Sequence, residues 1–232
     1  LAIFKISWEN YLIYRLNFIL WRLRNILQLF LTYFVWWTVF QSQQEVFGYT
    51  EGTILTYVMV ASLIRAIILS STAIDVSGHI NQGSIVNFLI KPFSFVGYYF
   101  TRDLADKLFN ISFVILEIIL LVLLLRPQIQ FQTDPMILVF FIISIILGAL
   151  ILFALVFTIG LLAFWVENSW APWFLITIFL EGFGGGLFPI DILPKTISQI
   201  ILLTPAPYLI YFPAKLYIGG LSTVEIFQGF FI

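Results

Sequence analysis

The chain has 232 residues, 61% hydrophobic and only 10% charged, with a mean hydropathy of +1.05 and a formal net charge of −1. A water-facing domain carries about a quarter charged residues, so a soluble fold is excluded, and a near-neutral chain has no global field to gather nucleic acid. With no cysteine and one histidine, disulfides and thiol chemistry are excluded and a structural zinc site is disfavoured.

Each membrane pass needs roughly 20 apolar residues, so about five or six passes fit in the apolar runs. The sequence opens on Leu1 rather than Met, and we expect residues ahead of it. No cleavable signal peptide is apparent. Lys5, Arg15, Arg22 and Arg24 are spread through the first segment, and no small-residue cleavage site follows. Residues 1–24 mix aromatic and basic positions and read as an interfacial helix, or as a basic flank of the first span. Residues 25–46 read as span 1 and residues 49–71 as span 2, interrupted by Arg65, which can snorkel toward the inner face. A polar island follows at 74–93. Span 3 is read at 108–125, with Glu117 inside it. Residues 135–166 form an uncharged span 4 that would be about 48 Å long if helical. That exceeds the roughly 30 Å apolar slab, so it must tilt, bend or protrude. Span 5, at 172–187, ends in Glu181-Gly182-Phe183-Gly184-Gly185-Gly186. Prolines 189, 194, 205, 207 and 213 then chop residues 189–220 into pieces. The piece between Pro194 and Pro205 gives about 15 Å of helix, too short to cross. The whole stretch reads as an external re-entrant or interfacial segment. Residues 225–232 begin a further span that the sequence does not finish.

Orientation follows from the Lys and Arg near span ends. With the N-terminus inside, Lys5, Arg15, Arg22, Arg24, Lys91, Arg102 and Lys107 are inner, against Arg126, Lys195 and Lys215 outside. This places the polar island in the cytoplasm.

Within the island, Ile80, Ile85, Phe88 and Leu89 recur on one side of a short helix. Asp75, Asn81, Gln82, Ser84 and Asn87 supply polar contacts, and Gly78 and Gly83 loosen the backbone. Such a helix suits the groove of a cytosolic partner, or is simply a solvated loop. Asp75 and His79, at i and i+4 with Ser77 and Ser84 near, form either a hydrolase-like set or a local polar cap; the cap is the favoured reading. Glu117 and Glu181 are intramembrane carboxylates and hence functional candidates, with structural pairing or reach to the headgroups as the plainer account. Tyr33, Trp36, Trp37 and Phe40 suit the lining of a path for an apolar or cationic substrate, or lipid-facing bulk. The glycine run is not a phosphate loop, because no GxxxxGK[ST] pattern occurs anywhere.

Gly78–Phe100, GHINQGSIVNFLIKPFSFVGYYF, and Phe188–Gly220, FPIDILPKTISQIILLTPAPYLIYFPAKLYIGG, carry a resemblance. The first resembles the glycine, short helix and leucine-lysine-proline ending of the small six-span bacterial ABC-2 type permeases. The second resembles their proline-punctuated external segment before the last span. The resemblance implies an all-α exporter-type transmembrane domain in a bacterial inner membrane. It implies a pore of two identical or related permease subunits, with ATP and Mg held by separate nucleotide-binding subunits and no cofactor in this chain. It places the coupling helix within 74–93, on Asp75, Gly78, His79, Ile80, Gly83, Ser84, Asn87, Phe88, Lys91 and Pro92. The substrate path would use Tyr33, Trp36, Trp37, Phe40, Glu117 and Glu181. The family has six spans and this sequence stops at the opening of the sixth. Two other classes compete: a structural membrane subunit docking through the island, and an intramembrane lipid-modifying enzyme, which lacks a convergent acid–base set.

Overall fold

The computed structural model describes residues 15–231. Residues 1–14, most of the expected interfacial helix with Lys5, lie outside the described residues, as does Ile232. Helix α1 (Arg15–Phe40) runs for 26 residues, about 39 Å, straight through the boundary that the sequence suggested between residues 24 and 25. It contains neither proline nor glycine, and Arg22 and Gln28 find partners on other helices of the bundle, so nothing forces a break. The helix stops at Phe40, short of residue 46. Strands β1 (Glu45–Val46) and β2 (Tyr49–Thr50) pair antiparallel across Phe47 and Gly48, both left-handed at φ 55° and 80°, the geometry of a tight hairpin turn.

That hairpin delivers Thr50, whose Oγ1 accepts from Thr53 N at 3.4 Å, to cap α2 (Glu51–Ile68). Helix α2 is the core of the bundle. Ile54, Tyr57, Ile64 and Ile68 are fully buried on it, and α1, α5, α6 and α10 pack around it. Two short helices, α3 (Asp75–Asn81) and α4 (Val86–Leu89), occupy the polar island. Helix α5 (Phe95–Leu125) starts well before residue 108, because Ser94 caps it by accepting from Gly97 N at 3.1 Å. At 31 residues it is about 46 Å long. It ends on Arg126 in the left-handed conformation.

Asp134 caps α6 (Pro135–Leu161), accepting from Met136 N at 2.8 Å, with Pro135 in the first turn. The helix tightens into a 3-10 turn at Leu162–Phe164, just short of residue 166. Helix α7 (Trp170–Phe183) has only 14 residues, about 21 Å, less than the roughly 30 Å slab. A 3-10 turn (Ile190–Ile192) and helices α8 (Lys195–Leu202), α9 (Ala206–Leu209), α10 (Tyr211–Tyr217) and α11 (Thr223–Phe231) complete the chain. Among the described residues, three helical segments are long and apolar enough to cross a membrane: Glu51–Ile68, Phe95–Leu125 and Pro135–Phe164. Large apolar side chains such as Leu123, Leu124, Ile142 and Ile146 stand exposed on their flanks, as suits hydrocarbon rather than water. The architecture is that of an all-α membrane protein.

The glycine run ends α7 for a steric reason. Gly185 is left-handed at φ 80°. A Cβ there would sit 2.7 Å from Tyr211 Cβ and 3.0 Å from Tyr57 Oη, and one at Gly186 would lie 2.5 Å from Arg65 Cδ. The backbone passes this close because it is bonded there. Tyr57 Oη donates to Gly185 O at 2.6 Å and Tyr211 N donates to Gly184 O at 2.9 Å.

Candidate functional site

The island at 74–93 is a helix–turn–helix rather than one continuous helix, because Gly83 takes a left-handed φ of 68° between α3 and α4. Phe88 turns inward. Its ring lies 4.8 Å from that of His79 and 5.1 Å from that of Tyr98. Ile80 is partly buried against the core. Phe88 of the apolar stripe seen in the sequence therefore packs on the protein's own α5. The opposite side exposes Asn81, Gln82, Gly83, Val86, Asn87, Ile90, Lys91 and Pro92. Gly78 is half-buried with open space beside it.

The segment is pinned at several points. Asp75 Oδ2 meets Arg102 Nη2 at 2.7 Å, and Asn81 Nδ2 donates to Glu167 O at 2.9 Å. Helix α6 closes on α3 at Gly160, where a Cβ would be 3.2 Å from Val76 Cβ and 3.3 Å from Ala73 O. His79 Nδ1 pairs with Ser84 Oγ at 2.9 Å while Asp75 is turned to Arg102, so no acid–base–nucleophile chain forms among Asp75, His79, Ser77 and Ser84.

Inside the bundle, the two carboxylates stand apart, each with its own arginine. Glu117 Oε1 accepts from Arg22 Nη1 at 3.4 Å, and Arg22 Nη2 also donates to Asn110 Oδ1. Glu181 pairs with Arg65, so neither residue reaches for the headgroups on its own. Gln28, oriented with its amide oxygen toward Arg65, accepts from Nη1 at 2.9 Å. Below these pairs, Lys107 Nζ binds Asp103 Oδ2 at 2.9 Å and donates to Ser70 O, while Asp103 Oδ1 accepts from Ser71 Oγ at 2.5 Å. The partners Arg22, Asn110, Asp103 and Lys107 were missed in the sequence. Their signal is the spacing 103, 107, 110, 114, 117, 121 on α5, one face of a helix.

The aromatic set divides. Tyr33, Trp36 and Phe40 lie buried on one face of α1, with Trp36 Nε1 donating to Leu187 O at 3.1 Å, while Trp37 is 41% exposed on another face. At the hairpin end, Tyr49 Oη donates to the Asp191 carboxylate, 2.8 Å from both oxygens, and Lys215 Nζ reaches Asp191 Oδ2 at 2.6 Å. Burial, and then the Asp191 charge, push the Tyr49 hydroxyl pKa upward. This cluster ties the hairpin to the proline-rich segment and was not foreseen.

A candidate metal site, meaning three or more grouped His, Asp or Glu, does not occur among the described residues. No curated protein and no solved structure matches this chain. A protein-family model described as "ABC-2 family transporter protein" matches residues 26–232, nearly the whole sequence. With that match over apolar spanning helices, the chain belongs to the ABC-2 transporter family, whose members are the membrane components of transporters.

Proposed function

We propose that this chain is the permease subunit of an ATP-driven exporter in a bacterial inner membrane, with its N-terminal side and residues 74–93 in the cytoplasm. Two permease chains, identical or related, form the path. Separate nucleotide-binding subunits bind ATP and Mg and drive transport of a hydrophobic or amphipathic cargo. The observation that carries this reading is the two-sided island. Its outer row, Gln82, Val86, Asn87 and Ile90, is exposed. Its inner side is fastened to α5 by Phe88 and by the Asp75–Arg102 pair, and to α6 at Gly160. A push on the outer row is thereby delivered to two long helices, as a switch between two packings requires. The family membership supports the same reading, and the preponderance of Lys and Arg on the 74–93 side supports the orientation.

The test is purification of the tagged chain from its native membrane, followed by assay of ATP hydrolysis and vesicle transport. An ATPase should co-purify. Gly83→Val and Asn87→Glu should preserve hydrolysis while transport falls. A complex without an ATPase, or unchanged transport in both variants, would refute the proposal.

A further inference from the structure

A groove of about 370 Å³ runs between α1 and α5, within the range of small-molecule sites. Its walls are apolar: Leu23 and Ile26 from α1, and Phe113, Leu116 and Leu120 from α5. Its polar groups are Arg22 and Glu117. Glu117 is unusually placed for an ion-paired carboxylate. Its side chain is only 7% exposed, yet its contact to Arg22 is a single one at 3.4 Å, the outer limit of a hydrogen bond. Among the described residues its Oε2 accepts no hydrogen bond. A carboxylate has about four acceptor sites, and leaving them empty in a low-dielectric setting is costly. Arg22, in contrast, has its closest described acceptor in Asn110.

We infer that the groove binds an amphiphile with a protonated amine head. The ammonium donates to Glu117 Oε2, a charge-assisted bond about twice as strong as a neutral one, and an alkyl body lies along Leu23, Ile26, Leu116 and Leu120. An anionic head is disfavoured because it would face the Glu117 carboxylate. This assigns a site and a cargo class to the exporter reading and, for the cargo role, rests on it. The same chemistry is offered by an amine-headed phospholipid, and the two sources separate experimentally.

The experiment measures binding of radiolabelled dodecylammonium to the purified full-length chain in detergent, with dodecanoate and dodecanol as controls. The expected result is saturable ammonium binding at one per chain, with E117Q weakening it roughly 10-fold or more and dodecanol affinity unchanged. Leu120 is exposed on the groove wall, so L120W should fold normally, fill the groove and abolish ammonium binding with the Arg22–Glu117 pair intact. Equal ammonium binding in wild type and L120W, or dodecanoate binding as tightly as dodecylammonium, would overturn the site. If the bound amine is displaced by phosphatidylethanolamine but not by ATP turnover of the complex, the occupant is lipid. If turnover depletes it, the occupant is cargo. A chain that binds the amine in this way but never exports would refute the exporter reading alone, and an exporter lacking amine binding would refute the site alone.

Discussion

Gly185→Ala tests whether the end of α7 is held as the contacts indicate. The substitution carries two penalties. The left-handed φ of 80° costs an L-residue about 1–2 kcal/mol. The new Cβ would sit 2.7 Å from Tyr211 Cβ, an atom fixed to the α10 backbone and unable to rotate away, and overpacking of this kind costs about 1–3 kcal/mol. Together they amount to roughly 2–5 kcal/mol, a large share of a typical stability of about 5–15 kcal/mol. For a chain of this size, 1 kcal/mol moves a melting midpoint by about 2–4 °C, so the expected drop is on the order of 4–20 °C. Gly182→Ala is the internal control. Gly182 lies within α7 with nothing near its Cβ position, so alanine there should be neutral or stabilise by about 0.5–1 kcal/mol. The assay is thermal unfolding of both variants in one detergent. If Gly185→Ala melts alongside Gly182→Ala, the close passage of the glycine run past Tyr57 and Tyr211 is wrong.

Asp191→Asn removes the charge that gathers Tyr49 and Lys215, and should lower stability by about 1–3 kcal/mol, read as a fall in melting temperature that Tyr49→Phe only partly reproduces. Because the Tyr49 hydroxyl pKa is raised in the folded state, its contribution is complete below the ordinary tyrosine value of about 10 and is lost as pH rises beyond it; the gap in melting temperature between wild type and Tyr49→Phe should be constant below that pH and close above it. Ser222 and Glu225 form a reciprocal cap at the start of α11, with Ser222 N donating to Glu225 Oε2 at 2.7 Å and Glu225 N to Ser222 Oγ at 3.3 Å. These bonds hold the Glu225 pKa below its ordinary value of 4.5, so amide protection in α11, corrected for intrinsic exchange, should persist above that pH and fade as pH falls through the lowered value; Ser222→Ala should cost about 1 kcal/mol. Gly160→Val should push α3 off α6, since its side chain meets Val76 Cβ and Ala73 O, whereas Gly148→Ala should be milder, as its nearest neighbour is the rotatable Ile68 Cδ1; amide exchange across α3 and α4 should accelerate only in the Gly160 variant.

The character of the chain was plain in its sequence because apolar run length and composition are local properties. The start of span 4 was legible for the same reason: α6 opens on Pro135, where the sequence placed it. Helix breaks were less so. Nothing between Arg15 and Phe40 could end a helix, and Arg22 and Arg24, which suggested a surface segment, do not mark a break. Arg22 is tolerated in the bundle because Glu117 and Asn110, among the described residues, lie across from it, nearly a hundred residues away in sequence. Arg65 was read as snorkelling for the same lack of a visible partner, and its partner Glu181 lies more than a hundred residues on. The inward turn of Phe88 likewise depends on Tyr98 and His79 offering ring faces, a fact of packing and not of periodicity.

The positions of these polar contacts bear on where motion can occur. In lipid, apolar helices gain little from one register over another, because hydrocarbon tails contact a leucine as well as another helix does. Polar contacts supply the register. Helix α5 spends Asp103, Lys107, Asn110 and Glu117 on one face, bonded to the chain after α2 at Ser70 and Ser71 and to α1 at Arg22. Separating α5 from either neighbour would strand a buried charge, which costs far more than sliding two apolar surfaces. These contacts fix the register of α1, α2 and α5 against one another. Helix α7 is short and is followed by a glycine run; it is fastened to α2 by Arg65–Glu181 and by Tyr57 donating to the Gly185 carbonyl, and to α10 by Tyr211 N donating to the Gly184 carbonyl. Pulling α7 away would strand the Arg65–Glu181 pair and leave the Gly184 and Gly185 carbonyls without their donors, so polar contacts set the register of α7 in the bundle as they do for α1 and α5.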